Sequence, residues 1–99
     1  MRTGSDMISI SEHAYTRAKE RLGLNRPALR KLCAMAYCYG VAQSRTKGLL
    51  LDYLRQRKAE YPHNTFRIYG ENLFVFQNNV LITAFRLPNE VNKPQFFTV

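Results

Sequence analysis

The chain has 99 residues and a mass of 11.5 kDa, and 45% of its residues are hydrophobic. This length supports a single domain, and this apolar content excludes wholesale disorder. No apolar run approaches the ~20 residues needed to span a bilayer, and the N-terminus lacks the apolar stretch of a signal peptide. The sequence therefore predicts a soluble, cytoplasmic protein with no membrane partner.

Charge is the most informative global property of the chain. Fifteen Lys and Arg residues against seven Asp and Glu residues give a net charge of +8. Residues 1–60 hold twelve of the basic and five of the acidic residues, so the positive charge is concentrated there. This balance favours a polyanionic partner: RNA before DNA, or an acidic protein or nucleoprotein surface.

The cysteines and histidines indicate neither a disulfide nor a metal site. Cys33 and Cys38 are five residues apart in one predicted helix, which places them on different faces and disfavours a disulfide between them. Two histidines and no Cys-x-x-Cys pair give no zinc motif. We expect two free thiols, no metal and no cofactor.

The N-terminal part of the chain contains a short aperiodic segment and then a helix. Residues 1–6 are interpreted as a leader or a cloning remnant, so that Met7 begins the single domain over residues 7–99. The first helix runs from about Ser11 to Leu22, with Ser11 as its N-cap or Ser9 in a capping box with Glu12. It ends at Gly23, a residue suited to the left-handed conformation that terminates helices.

Two more helices follow from their start and stop residues. Asn25 suits the N-cap of the second helix, which has a proline in its first turn and ends near Gly40. The third helix covers roughly residues 44–60. Gly48 weakens its first turn, and Pro62 ends it.

Beyond the third helix, the apolar period changes from 3.6 to 2. The pattern predicts three strands, Thr65–Tyr69, Leu73–Gln77 and Val80–Leu87. A three-residue loop, 70–72, and a two-residue Asn-Asn turn connect them. The fold class is therefore α+β, with about three helices packed on one face of an antiparallel meander of three to four strands. The tail after the last strand is an extended arm or a fourth, edge strand.

The hairpin lengths assign the strand side chains to two faces of the sheet. The predicted core face, on which the helices pack, carries Phe66, Ile68, Phe74, Phe76, Leu81, Thr83, Phe85 and Leu87. The opposite, mixed face carries Arg67, Tyr69, Leu73, Val75, Gln77, Val80, Ile82, Ala84 and Arg86. A face with this mixture favours contact with a partner, an oligomer or a ligand. The alternative is that arginine stems cover apolar surface while their charged ends reach water.

Basic residues also form a stripe on the first helix. His13, Arg17 and Arg21 are spaced at i, i+4 and i+8, and histidine exchanges a proton near neutral pH. A solvated basic face with an incidental histidine is the alternative. The basic residues expected to contact nucleic acid are Arg21, Arg26, Arg30, Lys31, Arg45, Lys47, Arg55, Arg57 and Lys58.

Two blocks of the chain carry a family pattern. The first is ISEHAYTRAKERLGL, with a His-Ala-x-x-Arg-x-x-x-Arg core, and the second is FRIYGENLFVFQNNVLITAFRLP. Over residues 8–38 and 66–87 the chain resembles the RelE-type toxins within the barnase–EndoU–colicin–RelE group of ribonuclease folds. In these domains an N-terminal helical stretch precedes a curved antiparallel meander, so the third predicted helix is an added element.

The resemblance implies metal-independent RNA cleavage, or a non-catalytic descendant of such a fold. Cleavage requires a base for the ribose 2′-hydroxyl, an acid for the 5′-oxygen and cations for the charged intermediate. His13 is then base or acid, and Arg67 and Arg86 clamp the phosphate. Tyr69 stacks on a base or orients a phosphate oxygen, and Arg17 completes the catalytic set.

Three functions remain open from the sequence. The first is a small ribonuclease of toxin type, which requires the first helix to bring His13 within reach of Arg86 on the mixed face. The second is a non-catalytic binder of nucleic acid or of a nucleoprotein, such as a phage-encoded inhibitor of a host defence complex. The third is a module that forms a homodimer through the mixed sheet face or an exposed strand edge. We expect binding rather than turnover.

Overall fold

The computed structural model describes residues 8–98, so the predicted leader lies outside the described part of the chain. In this part three helices precede an antiparallel meander, which confirms the α+β class. The helices are α1 (Glu12–Leu22), α2 (Arg26–Tyr39) and α3 (Gly48–Glu60). The strands are β1 (Ser9–Ile10), β2 (Val41–Ala42), β3 (Thr65–Tyr69), β4 (Asn72–Gln77) and β5 (Val80–Arg86). No helix within these residues has the length and apolar character to cross a membrane.

The five strands form one mixed sheet in the order β1-β5-β4-β3-β2. β3, β4 and β5 are the predicted meander, whereas β1 and β2 are two-residue strands that the pattern did not predict. β1 pairs in parallel with β5, and β2 pairs antiparallel with β3. Within the described residues the tail adds no strand to this sheet. It forms a 3-10 turn, Pro94–Phe96, and an isolated bridge between Thr46 and Phe97, which holds it near the start of α3.

The first two helices begin and end where their capping residues predict. The Ser11 hydroxyl accepts a hydrogen bond from the Ala14 N–H at 3.0 Å, and α1 ends at Gly23 with φ of 68°. The Asn25 side chain accepts from the Ala28 N–H at 2.9 Å at the start of α2. Local chemistry is therefore sufficient to place both helices.

The start of α3 differs from the prediction. Residues Gln43–Arg45 form a separate 3-10 turn, and α3 begins only at Gly48. Gly48 has φ of 61°, and a Cβ on it would lie 2.8 Å from Cδ1 of Phe96. Glycine is thus required here for its backbone conformation and for the close approach of the tail, and it does more than weaken a helical turn.

The strand register differs from the prediction by one residue. Tyr69 pairs with Asn72 and not with Leu73, so the β3–β4 loop has two residues, with Gly70 at φ of 63°. Since alternate side chains point to opposite faces, a shift of one residue exchanges the faces of a whole strand. A further irregularity interrupts the β4–β5 ladder between Val75 and Phe76.

The sheet consequently has a hydrophobic core on each face. The core on the side of α1 and α2 consists of Ala14, Ala18, Leu29, Cys33, Ala36, Phe74, Phe76, Leu81 and Ala84. The core on the side of α3 and the tail consists of Leu50, Leu54, Phe66, Ile68, Leu73, Val75, Phe85, Leu87 and Val91. The expected packing of all helices on one face is replaced by a sheet that lies between helices.

The predicted mixed face is not a free surface. The register still places Arg67, Tyr69 and Arg86 on one face, but that face also carries Phe74 and is covered by α1 and α2. Leu73 and Val75, assigned to the same face from the sequence, point into the opposite core. A homodimer through the sheet face would therefore have to displace helices of the same chain. Dimerisation through a strand edge stays a prediction.

Candidate nucleic-acid interface

Ion pairs engage most of the acidic side chains. Of the six acidic residues within residues 8–98, five pair with an arginine. The pairs are Glu12–Arg26, Glu20–Arg17, Asp52–Arg55, Glu60–Arg57 and Glu71–Arg86. The basic side chains of this part of the chain that lie outside these pairs are Lys19, Arg21, Arg30, Lys31, Arg45, Lys47, Lys58, Arg67 and Lys93. The net positive charge is thus carried by cations that no carboxylate of residues 8–98 neutralises locally.

One of these cations lines a cleft beside the C-terminal end of α2. The cleft has a volume of about 260 Å³ and is lined by Tyr37, Thr65, Arg67, Phe76 and Asn78. The ring of Tyr37 stands edge-on to that of Phe76, with 5.4 Å between the ring centres and 71° between the planes. Tyr37 is 38% exposed although it belongs to the apolar side of its helix.

Close packing of α2 on β3 creates this cleft. Gly40 caps α2, and a Cβ on it would lie 2.3 Å from the Ala36 carbonyl oxygen and 2.9 Å from Cβ of Arg67. Only a glycine therefore lets the end of α2 lie directly over Arg67. The chain then pairs as β2 with β3, with Ala42 opposite Arg67.

The side chain of Arg67 is half-buried and has no ion-pair partner among residues 8–98. Its Nη1 donates to the Phe66 carbonyl oxygen at 3.2 Å, which leaves most of its five N–H donors available. Tyr39, the last residue of α2, is 71% exposed. A guanidinium that lines a cleft together with an exposed tyrosine, here Tyr37, is an arrangement that binds phosphates and stacks on bases.

Asn78 closes the cleft from the β4–β5 turn. Its backbone has φ of 55°, a conformation that asparagine adopts more readily than most residues. Gln77 pairs with Val80 across this turn, as the Asn-Asn pair predicts. The turn places an exposed amide, which both donates and accepts hydrogen bonds, next to the arginine.

A second cationic cluster lies at the edge of β5. Arg21 donates to the Thr83 hydroxyl at 2.9 Å and lies over the ring of Phe85. Arg57 lies over the same ring and donates to the Tyr53 hydroxyl at 3.1 Å. Partial burial lowers the pKa of Arg57, but its hydrogen bonds to Tyr53 and Glu60 outweigh this and raise its pKa above the usual value. These contacts join the helices to the sheet, so the cluster has a clear structural role.

The register places Arg67, Tyr69 and Arg86 on one face of the sheet, but His13 and Arg86 lie towards opposite ends of β5. The Ser11 N–H donates to the Leu81 carbonyl oxygen, so His13 lies near the start of β5. Arg86 ends this strand and is about 16 Å further along it at ~3.3 Å per residue. His13 is exposed, whereas Arg86 pairs with Glu71 at 3.0 Å. His13 and Arg86 therefore do not form one preassembled phosphate site.

Comparison of the chain with protein-family models, with curated proteins and with solved structures gives no match. The resemblance to RelE-type toxins therefore stays a prediction from the sequence.

Arg55 pairs with Asp52, and the other predicted contact residues fall into two groups. Arg26 donates two hydrogen bonds to Glu12 and lies 4.1 Å from the ring centre of Tyr15, and Lys58 donates to the Asn64 carbonyl oxygen; both act within the fold. The second group is exposed and outside ion pairs, and it consists of Arg30, Lys31, Arg45 and Lys47. This group and Arg67 are the cations best placed to meet a polyanion.

The sequence interpretation missed the role of Tyr37 and Asn78 in lining the cleft. From the sequence, Asn78 is placed only in a turn and Tyr37 is assigned no role. For Tyr37 the available signal was its place near the end of the second helix, two residues before another tyrosine, Tyr39. Its proximity to Arg67 depends on the packing of α2 on β3, which no local pattern reveals.

Proposed function

We propose that the protein binds RNA, and that it does so through phosphate contacts made by its unpaired cations. The observation that carries this proposal is the ion-pair pattern: five of six acidic side chains in residues 8–98 are engaged, whereas nine basic side chains are not. Exposed cations without local counter-charges release bound counterions when they meet a polyphosphate, and this drives association. Binding needs no assembled catalytic site.

Arg30 and Lys31 are the most direct elements of this surface. Both are exposed on α2, just over one turn from its N-terminus, and neither has an acidic partner in the described chain. The cleft with Arg67 lies at the other end of the same helix. A strand that follows α2 would therefore contact cations along about 15 Å, the rise from Arg30 to Gly40 at ~1.5 Å per residue.

The test is fluorescence anisotropy of labelled single-stranded RNA, with chelator present, over a salt series. Wild type should bind with an affinity that falls steeply with salt, by about 0.7 in log Kd per log salt for each phosphate contact. Arg30→Ala/Lys31→Ala should weaken binding. It should also reduce the salt slope by the amount that corresponds to about one to two phosphate contacts. The charge-matched control is Arg17→Ala/Arg55→Ala, which removes two arginines that are already held by Glu20 and Asp52.

The outcomes separate the remaining functions. Equal losses in the two double variants would show that net charge alone matters, and absence of any RNA or DNA binding would contradict the proposal. Cleavage that resists the chelator and disappears in both His13→Ala and Arg86→Ala would favour a metal-independent ribonuclease. Single-stranded DNA of the same sequence, run in parallel, tests the preference for RNA.

A further inference from the structure

We propose that the cleft between the end of α2 and the β4–β5 turn binds one unpaired nucleobase. This inference rests on the proposed function, because it assigns to the nucleic-acid partner a single-stranded segment whose base enters the cleft. The carrying observation is the juxtaposition of an aromatic ring, a guanidinium and two neutral hydrogen-bonding side chains, Tyr37, Arg67, Thr65 and Asn78, around one opening.

The ring of Tyr37 supplies a stacking surface. Its edge-on contact with Phe76 fixes the ring orientation, while 38% of the residue remains accessible to solvent. A ring that is restrained by one neighbour and partly accessible loses little side-chain freedom when a base stacks on it. Every base has a π-face, so this contact selects for unpaired bases and not for one sequence.

The polar groups of the cleft match the edge of a base. Asn78 carries an amide with both donors and an acceptor, which is the group that pairs with base edges in two-point contacts. Thr65 adds a hydroxyl that can donate or accept. Arg67 has N–H groups beyond the one bonded to the Phe66 carbonyl oxygen, and these can hold the phosphate attached to the bound nucleotide.

The size of the cleft limits the ligand to one base. Its volume of about 260 Å³ is smaller than the roughly 300–1,000 Å³ of sites for drug-sized ligands. A base inside a duplex is stacked on both sides and shields its pairing edge, so it cannot enter. The cleft therefore favours single strands, whereas the exposed cations accept single strands and duplexes alike.

The experiment compares a single-stranded RNA with the same ribose-phosphate strand lacking its bases. Wild type should prefer the strand with bases by about tenfold or more, the typical effect of one stacked base. Tyr37→Ala should remove this preference and leave binding of the abasic strand unchanged. Tyr37→Phe, which keeps the ring, should retain the preference. Leu49→Ala is the matched control, because it removes an exposed apolar side chain, 53% accessible, from a different helix.

A second variant tests the base site independently, in case Tyr37→Ala does not fold. Asn78→Gly removes the amide in a backbone conformation that glycine adopts freely, and it should lower the preference severalfold without a change in the thermal unfolding midpoint. An unchanged preference in both Tyr37→Ala and Asn78→Gly overturns the base site while the cationic interface stands. Failure of wild type to bind either strand overturns both the base site and the proposed function.

Discussion

Arg21 and Arg57 lie over the same aromatic ring. Their guanidinium carbons are 4.3 Å and 3.9 Å from the ring centre of Phe85. Arg21 comes from α1 and Arg57 from α3, the helices that cover opposite faces of the sheet. The two side chains therefore join both helical layers at the edge of β5. Each contact combines the attraction of a cation for the negative face of the ring with burial of the arginine stem.

Loss of Arg21 should destabilise the fold although much of this residue is exposed to solvent. Arg21→Ala removes the contact with Phe85 and the donor to the buried Thr83 hydroxyl, and we expect the free energy of unfolding to fall by about 1–2 kcal/mol. Urea unfolding of both proteins measures this loss in the free energy of unfolding. Arg30→Ala, on the exposed side of α2, should change stability by less than about 0.5 kcal/mol. Equal effects of the two substitutions would contradict a structural role for Arg21.

A second prediction follows from the close approach of the tail to Gly48. Gly48→Ala introduces a Cβ 2.8 Å from Cδ1 of Phe96 at a backbone φ of 61°, and we expect a loss of about 2 kcal/mol or more. Gly23→Ala is the control, because φ is 68° there but nothing lies within 4 Å, so backbone strain alone should cost about 1 kcal/mol.

A double-mutant cycle separates the clash from the strain. Phe96→Leu shortens the ring that the new methyl group meets, so the double variant with Gly48→Ala should be more stable than the sum of the single losses predicts, by at least about 0.5 kcal/mol. Additive losses would show that the tail does not press on α3 in solution.

The two free thiols should differ strongly in reactivity. Cys33 is fully buried, and burial raises its pKa to about 12, whereas Cys38 is exposed. Only the thiolate reacts with alkylating reagents, so at pH 8 the native protein should take up one equivalent, at Cys38, and a second only in denaturant. Intact mass spectrometry counts the adducts, and Cys38→Ser should abolish the native reaction. Rapid labelling of Cys33 in native buffer would show that α2 opens locally.

The fold could be predicted from the sequence wherever local chemistry decides the structure. Ser11 and Asn25 cap their helices, and Asn78 forms the expected turn, because each acts on backbone groups within a few residues. The register of β4 could not be predicted in this way. Leu73, Phe74, Val75 and Phe76 are all buried, so no polar side marks which residues face which helix.

The burial of both faces of the sheet also explains why the candidate site was only partly predictable from the sequence. A sheet that is covered on both faces gives a continuous apolar run, and the turn alone then determines the register. Gly70 at the first central position favours a two-residue loop, yet one extra residue would have been equally compatible with the apolar pattern. Arg67 was identified from its unusual place in a strand. Its meeting with Tyr37 depends on a helix docking on a strand about 30 residues away in the sequence.

The ion pair between Glu12 and Arg26 should make stability depend on pH below the neutral range. Hydrogen bonds from Arg26, at 2.6 and 3.1 Å, lower the pKa of the Glu12 carboxyl from its ordinary value. A carboxylate whose pKa is lower in the folded state contributes stability that is complete above its unfolded pKa. That contribution is lost as the pH falls through the folded pKa. Wild type should therefore unfold at a higher temperature than Glu12→Gln at pH 7, and the difference should vanish near pH 2.

Two controls complete this test. Glu90 lies outside the ion pairs of residues 8–98, so Glu90→Gln should leave the unfolding midpoint of the wild type unchanged at both pH values. Both members of the Glu12–Arg26 pair are more than half exposed, so 1 M salt should shrink the difference at pH 7. If the difference in unfolding temperature between the wild type and Glu12→Gln persists at pH 2, its cause is helix propensity or packing and not the charge of Glu12. Because Arg26 also lies over Tyr15, the pair ties α1 to α2, the helix that carries the proposed RNA contacts.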